Sequence, residues 1–237
     1  MADIELLACM GDDLMVADAA RVSFSKKSDW EVDELGHKNL PKRDAAIIDF
    51  LAKHNHWSPF SHPQLQFRVR MPIFIANQWF KHVVGFSRNS VSRRYVNFEP
   101  TIFKPKYWRQ GAPSIKQGSL LTEVKNPALC DAEYKKACDV AMDTYNSLMA
   151  NGVAPEQARM VLPMSMYTEF VETGSLFGYA RLCNLRMQPD AQKEIQDYAA
   201  MIDEAVRKKF PVSWKALTAE IVSKKEVKNE AEKAVQV

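Results

Sequence analysis

The sequence predicts an α+β fold: a single domain in which long helices pack a small, twisted, mainly antiparallel sheet, with a helical C-terminal half. Three observations predict it. Residues 64–71 alternate cleanly, Leu65, Phe67, Val69 and Met71 against Gln64, Gln66, Arg68 and Arg70, the two-residue period of a half-buried strand. From about Pro127 onward the chain reads as successive helices. Hydrophobic residues make up 46% of the 237, enough for a sizeable core and too many for a disordered chain.

Residues 4–9 are a short apolar run closed by Gly11, Asp12 and Asp13, which predicts a strand. Residues 14–22 carry apolar side chains at helical spacing, and residues 23–37 follow as a polar, mobile loop. Residues 44–53 place Ala45, Ile48, Phe50 and Leu51 on one stripe of a helix. After the alternating strand, Pro72 suits the first turn of a helix that ends near Gly85. On that helix Asn77, Lys81 and Gly85 align at four-residue spacing, with Gln78 and His82 beside them, facing away from Ile73, Ala76 and Phe80. Residues 97–122 hold several Pro, Gly and aromatic residues and form a long irregular excursion, a kind of segment that usually has a job. Helices are expected over 132–151, 155–162, 168–184 and 191–210, the last capped by Asp190. Residues 1–222 are expected to form one domain, without internal repeat or linker, and 223–237 a charged, flexible tail.

A formal net charge of +3 is too weak to argue for a nucleic-acid binder. Four scattered cysteines (Cys9, Cys130, Cys138, Cys183) form no CxxC pair, which indicates reduced thiols rather than a disulfide frame or a zinc knuckle. The N-terminus has acids where a signal peptide needs cations, and no apolar run approaches the ~18 residues of a membrane span. A soluble, cytoplasmic protein is expected.

Residues 78–95 are the most informative stretch. Four cations (Lys81, Arg88, Arg93, Arg94) and three serines (Ser87, Ser90, Ser92) surround Gly85, directly after an apolar run. Guanidinium forks and short hydroxyls bind phosphate through directed, charge-assisted hydrogen bonds. A surface basic cluster for RNA is the competing reading of the same composition. Trp79, Phe80 and Phe86 suit base stacking as well as a core.

This segment resembles the signature of the flavin-dependent thymidylate synthases, R-H-R, a short spacer, then S-x-N-E-x-S-x-R-Y. Lys81-His82 stands for the opening R-H, while Ser87, Asn89, Ser92, Arg94 and Tyr95 keep the mutual spacing of the second part. The upstream Q-W-F is present as Gln78, Trp79 and Phe80. Residues 54–62 are similar to the family's H-x-H-x-[ST]-P-F-x-H block, residues 158–163 to its A-R-x-V-L-P block, and residues 185–195 to its L-R-x-x-x-x-A-Q-x-E-I block. Four blocks in order, within a match spanning about residues 15–216, make the resemblance specific.

The resemblance implies a homotetramer with active sites where subunits meet. It implies synthesis of dTMP from dUMP, with methylenetetrahydrofolate as carbon donor and FAD, reduced by NADPH, as hydride source. It assigns Gln78, Trp79, Phe80, Lys81, Ser90, Val91, Ser92, Arg93, Arg94, Arg159 and Arg186 to dUMP, with Arg186 as the catalytic residue beside the pyrimidine. It assigns His56, Ser58, Lys81, His82, Val83, Asn89, Ser90, Ser175 and Arg181 to FAD. From the residues alone, Arg159 and Arg186 sit on apolar helices and need either a ligand or a carboxylate such as Glu169, Glu172 or Glu194. A metal at His54, His56 and His62 is not expected, because acidic and cysteine ligands are sparse nearby. No cysteine lies in the Pro-Cys-[His/Gln] setting of the thymidylate synthases that attack dUMP with a thiol, and Cys138 and Cys183 fall on helix faces.

Departures from the pattern concentrate on the flavin side. R-H-R is Lys81-His82-Val83, one extra residue precedes Ser87, and the Glu of N-E is Ser90. Where the family often has N-A-R, this chain has Ser175-Leu176-Phe177. Either Arg88, Arg93 or Arg181 replaces the missing cations, or the chemistry has drifted to hydroxymethylation of dUMP or dCMP. A single-stranded nucleic-acid module is the reading from another class.

Overall fold

The computed structural model describes residues 3–96, 98–112 and 118–219. The tail expectation for 223–237 lies outside the described residues. The architecture is mixed α/β: a four-stranded sheet in the order β1 (Ile4–Met10), β4 (Gln64–Pro72), β8 (Tyr167–Ser175), β5 (Phe86–Ser90), two two-stranded ribbons, and helices. By contact density the chain divides into two compact units. The first comprises Met1–Arg68, His82–Arg88 and Glu172–Val237; the second comprises Val69–Lys81 and Asn89–Val171. Three of the boundaries fall inside β4, β5 and β8 and the fourth falls between Lys81 and His82, just before β5; no composition shift marks them.

In the first unit, β1 (Ile4–Met10) leads into α1 (Asp13–Arg21), capped by Asp12, whose carboxylate accepts from Met15 N at 3.0 Å. The Arg21 guanidinium donates to the fully buried carboxylate of Asp44 (Nε–Oδ1 2.6 Å), tying α1 to α2 (Lys42–Lys53). The loop predicted at 23–37 holds one strand of a short antiparallel ribbon, β2 (Glu31–Val32), whose partner β3 (Lys38–Asn39) follows directly after it. A five-residue turn with few apolar residues hides such a ribbon from pattern reading.

The alternating strand is β4 (Gln64–Pro72), with Leu65, Phe67, Val69 and Met71 fully buried. Residues 168–184 are not one helix. They divide into β8 (Tyr167–Ser175) and α6 (Leu176–Arg186). The inward positions of β8 are Phe170, Glu172 and Gly174, so a buried charge and a glycine conceal the two-residue period. Strands β4 and β8 run antiparallel: Gln66 pairs with Thr173 through side chains (3.0 Å), and Ile73 N donates to Met166 O (2.9 Å). Helix α7 (Lys193–Arg207) is capped at Gln192 rather than Asp190, and α8 (Pro211–Leu217) follows as a separate helix. Asp13 accepts from Val212 N and Ser213 N at the start of α8.

In the second unit, the helix after Pro72 is short. Pro72 ends β4, and α3 covers only Ile73–Trp79. The β-branched pair Val83-Val84 and Gly85 at φ +78° end any helical path, and the chain re-enters the sheet as β5 (Phe86–Ser90). The expected strip of Asn77, Lys81 and Gly85 therefore does not exist as a helix face. The irregular excursion contains the antiparallel ribbon β6 (Arg109–Gly111) with β7 (Ser119–Glu123). Helix α4 (Pro127–Ala150) starts on the Asn126 cap, and Asp131 on it accepts from Trp108 Nε1 (2.8 Å) and Lys104 Nζ (2.9 Å). The expected helix 155–162 is one α-turn, α5 (Pro155–Ala158), continued as a 3-10 turn over Arg159–Val161. Among the described residues no helix is long and apolar enough to cross a membrane.

Candidate functional site

In the first unit the sequence signatures meet at the two ends of α6. At its start, Ser175 Oγ accepts from Gly178 N (3.1 Å), so this buried hydroxyl caps the helix. Gly85 lies against it: Ser175 N donates to Gly85 O (3.1 Å), and a Cβ on Gly85 would stand 2.9 Å from Ser175 Oγ. Positive φ and this close approach both demand glycine there.

At the far end, Arg186 Nε donates to His82 Nε2 at 2.9 Å, across 104 residues of chain. An accepting Nε2 means that the His82 proton sits on Nδ1 and the ring is neutral. Burial, reinforced by the positive charges of Arg186, Arg88 and Arg181, lowers the His82 pKa from 6.5 to about 4. The unfolded chain therefore takes up more protons than the folded one between pH 6.5 and about 4, and stability falls as pH drops through that window. Urea midpoints measured at pH 7, 5.5 and 4.5 should decline less in His82→Gln than in the unsubstituted protein. Parallel declines in the two proteins would remove His82 as a source of the effect.

Arg88 points inward from β5. It donates to the fully buried Glu172 of β8 and lies 4.7 Å over the Phe86 ring. Phe86 meets Tyr179 edge-on (4.9 Å, 88°), a packing that leaves no room for a side chain at Gly174. Burial, with the Glu172 charge beside it, pushes the Tyr179 phenol well above its usual range.

Two cavities lie within this unit and share His56 and Leu51. One, about 700 Å³, is lined by His56, Trp57, Phe177, Arg181, Asn184 and Leu185. The other, about 660 Å³, is lined by Arg21, Ser23, Lys26, Phe50, His56 and Ser58. His56, Ser58, Val83 and Arg181 are exposed. Asn184 donates from Nδ2 to Leu217 O (2.8 Å), while its buried Oδ1 has no hydrogen-bond partner. Cys183 is fully buried on α6 with its thiol pKa driven well up by burial, Cys138 is buried on α4, and burial also raises exposed Cys9.

The second unit holds the other candidates. Arg94 Nη2 contacts Glu156 Oε2 at 3.1 Å, and Arg159 Nε donates to Glu156 O at 3.3 Å. These two arginines, 65 positions apart (159 minus 94), thus gather around one glutamate. Ser92 Oγ accepts from Arg94 N (3.3 Å), and Val91 N donates to Glu169 O (2.8 Å). Arg159 is exposed, so the expectation that a buried arginine demands a partner does not apply to it. Arg93 is the buried one: it donates to Phe98 O and stacks over the Phe98 ring (4.3 Å). Trp79 is fully buried and belongs to the core, and Phe80 packs edge-on against Phe170 (4.9 Å). Gln78 is half-buried at the end of α3; Lys81, Asn89 and Ser90 are exposed.

Glu172 was foreseen as a partner for Arg159 or Arg186, but it pairs with Arg88. Glu156 was missed because its carboxylate meets Arg94, far away in the chain, while Arg159 three residues on reaches only its backbone oxygen. Asn184 carried no signal at all, because only the cavity makes its free oxygen meaningful.

A family model described as thymidylate synthase complementing protein matches residues 5–212, and the chain belongs to this family as a divergent member. Among its relatives, the flavin-dependent thymidylate synthase of Thermus thermophilus is 38% identical over 213 residues, covering 90% of this chain and 74% of the relative. That of Thermosipho africanus is 36% identical over 216 residues, covering 90% and 89%. Among solved structures, the UMP/dUMP methylase PolB from Streptomyces cacaoi bound with 5-Br dUMP superposes with a TM-score of 0.79 at 28% identity. The superposition covers 91% of this chain and 94% of that one.

Proposed function

We propose that this chain makes dTMP from dUMP by reductive methylation, with methylenetetrahydrofolate as carbon donor and FAD, reduced by NADPH, as hydride source. The observation that carries this reading is the Arg186–His82 contact, which joins two family motifs at one half-buried point. The neutral imidazole accepts from Nε, so it orients the guanidinium without adding a negative charge of its own. Fixed positive charge beside the pyrimidine stabilises the negative charge that develops on the ring as C5 becomes nucleophilic.

The residues of the first unit fit a flavin dinucleotide. Two cavities sharing His56 offer ring surfaces, the Ser23 and Ser58 hydroxyls, an acceptor on Asn184, and the cations Lys26 and Arg181. Of the three cations considered as replacements for the family's, Arg88 is engaged by Glu172 and Arg93 is buried, which leaves Arg181. When bound, FAD supplies the hydride that completes the methyl group. In the second unit, Ser92, Arg94 and Arg159 hold the nucleotide phosphate, which exchanges with the Glu156 carboxylate on Arg94. The protein works as a homotetramer in the cytoplasm, with sites completed where subunits meet.

Incubating the purified protein with dUMP, methylenetetrahydrofolate, FAD and NADPH should yield a nucleotide with the mass and chromatographic behaviour of dTMP. UMP and dCMP are run in parallel. Unchanged dUMP, or a hydroxymethylated product from either pyrimidine, would sink the assignment.

A further inference from the structure

A position where this chain departs from its family motif and an open position of another block line one cavity together. Phe177 stands where the family often has arginine, and Trp57 fills an open position of the His-rich block. Their ring centroids are 6.1 Å apart at an interplanar angle of 37°. Both line the cavity of about 700 Å³ in the first unit. That spacing is too close for a third ring to insert between them, so half-buried Phe177 backs an indole that is 57% exposed. The same cavity is lined by Asn184, whose buried Oδ1 has no hydrogen-bond partner. A buried acceptor without a donor is costly, and a ligand N–H removes that cost.

We infer that Trp57, backed by Phe177, is the stacking wall for a planar heteroaromatic ring, and that Asn184 Oδ1 accepts a hydrogen bond from an N–H on that ring. The inference rests on the flavin reading above. Both ring systems of FAD qualify, the isoalloxazine through its imide N–H and the adenine through its amino group. Stacking here takes over the work that an ionic contact does elsewhere in the family. Aromatic stacking is short-ranged and little screened, whereas an exposed arginine–phosphate contact weakens with salt. This wall should therefore hold its ligand with little dependence on salt.

Titration of the full-length protein with FAD, followed by tryptophan fluorescence, tests this without turnover. FAD should quench the Trp57 component, and that quenching should be missing in Trp57→Leu. Trp57→Leu and Asn184→Leu should each raise the Kd for FAD by about fivefold or more, while Trp57→Phe retains most of the affinity. Thermal melts confirm that the variants fold. Between about 50 and 300 mM salt the unsubstituted Kd should rise only as far as Lys26 and Arg181 contribute, and Phe177→Arg should steepen that rise. Quenching by riboflavin assigns the wall to the isoalloxazine; quenching by AMP assigns it to the adenine. If FAD binds the unsubstituted protein and folded Trp57→Leu or Asn184→Leu equally well, the wall is wrong and the flavin reading stands. If the unsubstituted protein binds no FAD, both fall together.

Discussion

Arg186→Ala loses dTMP formation by about 10²–10³-fold in kcat, while its melting temperature and its affinity for dUMP change little. Three structural facts set this expectation. Arg186 is the last residue of α6, it is only half-buried, and its guanidinium is held by His82 at 2.9 Å. Truncation at a helix end removes little apolar burial, so the fold survives. What disappears is a cation already oriented before substrate arrives, and charge that develops only in the transition state is what such a group stabilises. Arg186→Lys keeps a positive charge but loses the planar fork and the Nε donor to His82, so it recovers only part of the rate. Steady-state rates of NADPH oxidation and dTMP formation, with dUMP affinity measured separately, decide the matter. Turnover near that of the unsubstituted protein would withdraw the catalytic assignment of Arg186.

Arg88→Ala has the largest expected effect on stability, about 3–5 kcal/mol. Glu172 is fully buried in β8, and the Arg88 side chain that meets it is only 14% exposed. Removing the arginine takes a cation away from a buried carboxylate, and the poorer compensation of that charge carries most of the cost. Replacing both partners with apolar residues of similar volume, Arg88→Met with Glu172→Leu, should recover much of the loss, because neither charge is then left behind. The test is a urea-denaturation cycle over both single variants and the double. A loss below about 1 kcal/mol for Arg88→Ala would mean that water or another cation reaches Glu172 in solution. The same pair accounts for a feature of the site: Arg88 lies within the cationic segment, yet its charge is committed to the interior.

The parts of the fold that were legible share a property. Strand β4 buries apolar side chains along one face, so its period is visible locally; α2 keeps Ile48 and Leu51 at a readable helical spacing, although Asp44 is buried beside them and Phe50, expected on the same stripe, is exposed. Strand β8 failed the same reading because Glu172 and Gly174 occupy its inward positions. Helix α3 was overextended because Lys81 and His82 continue a plausible face, whereas Val83, Val84 and the left-handed Gly85 turn the chain back toward the sheet. For the site, the candidate cations were visible and their partners were not. Arg93 and Arg94 are neighbours of the same residue type, but one is buried under Phe98 and the other reaches Glu156.

The sequence by itself determined the family, through ordered motif blocks, and the elements whose burial follows a simple period. Both are properties of residue type and local spacing. Tertiary structure alone decided which charge meets which partner: Arg88 with Glu172, Arg186 with His82, Arg94 with Glu156, and Trp57 with Phe177. Except where strands or helices happen to be close in the chain, such pairings depend on how distant segments pack, and a charge or ring has no local signature that names its partner.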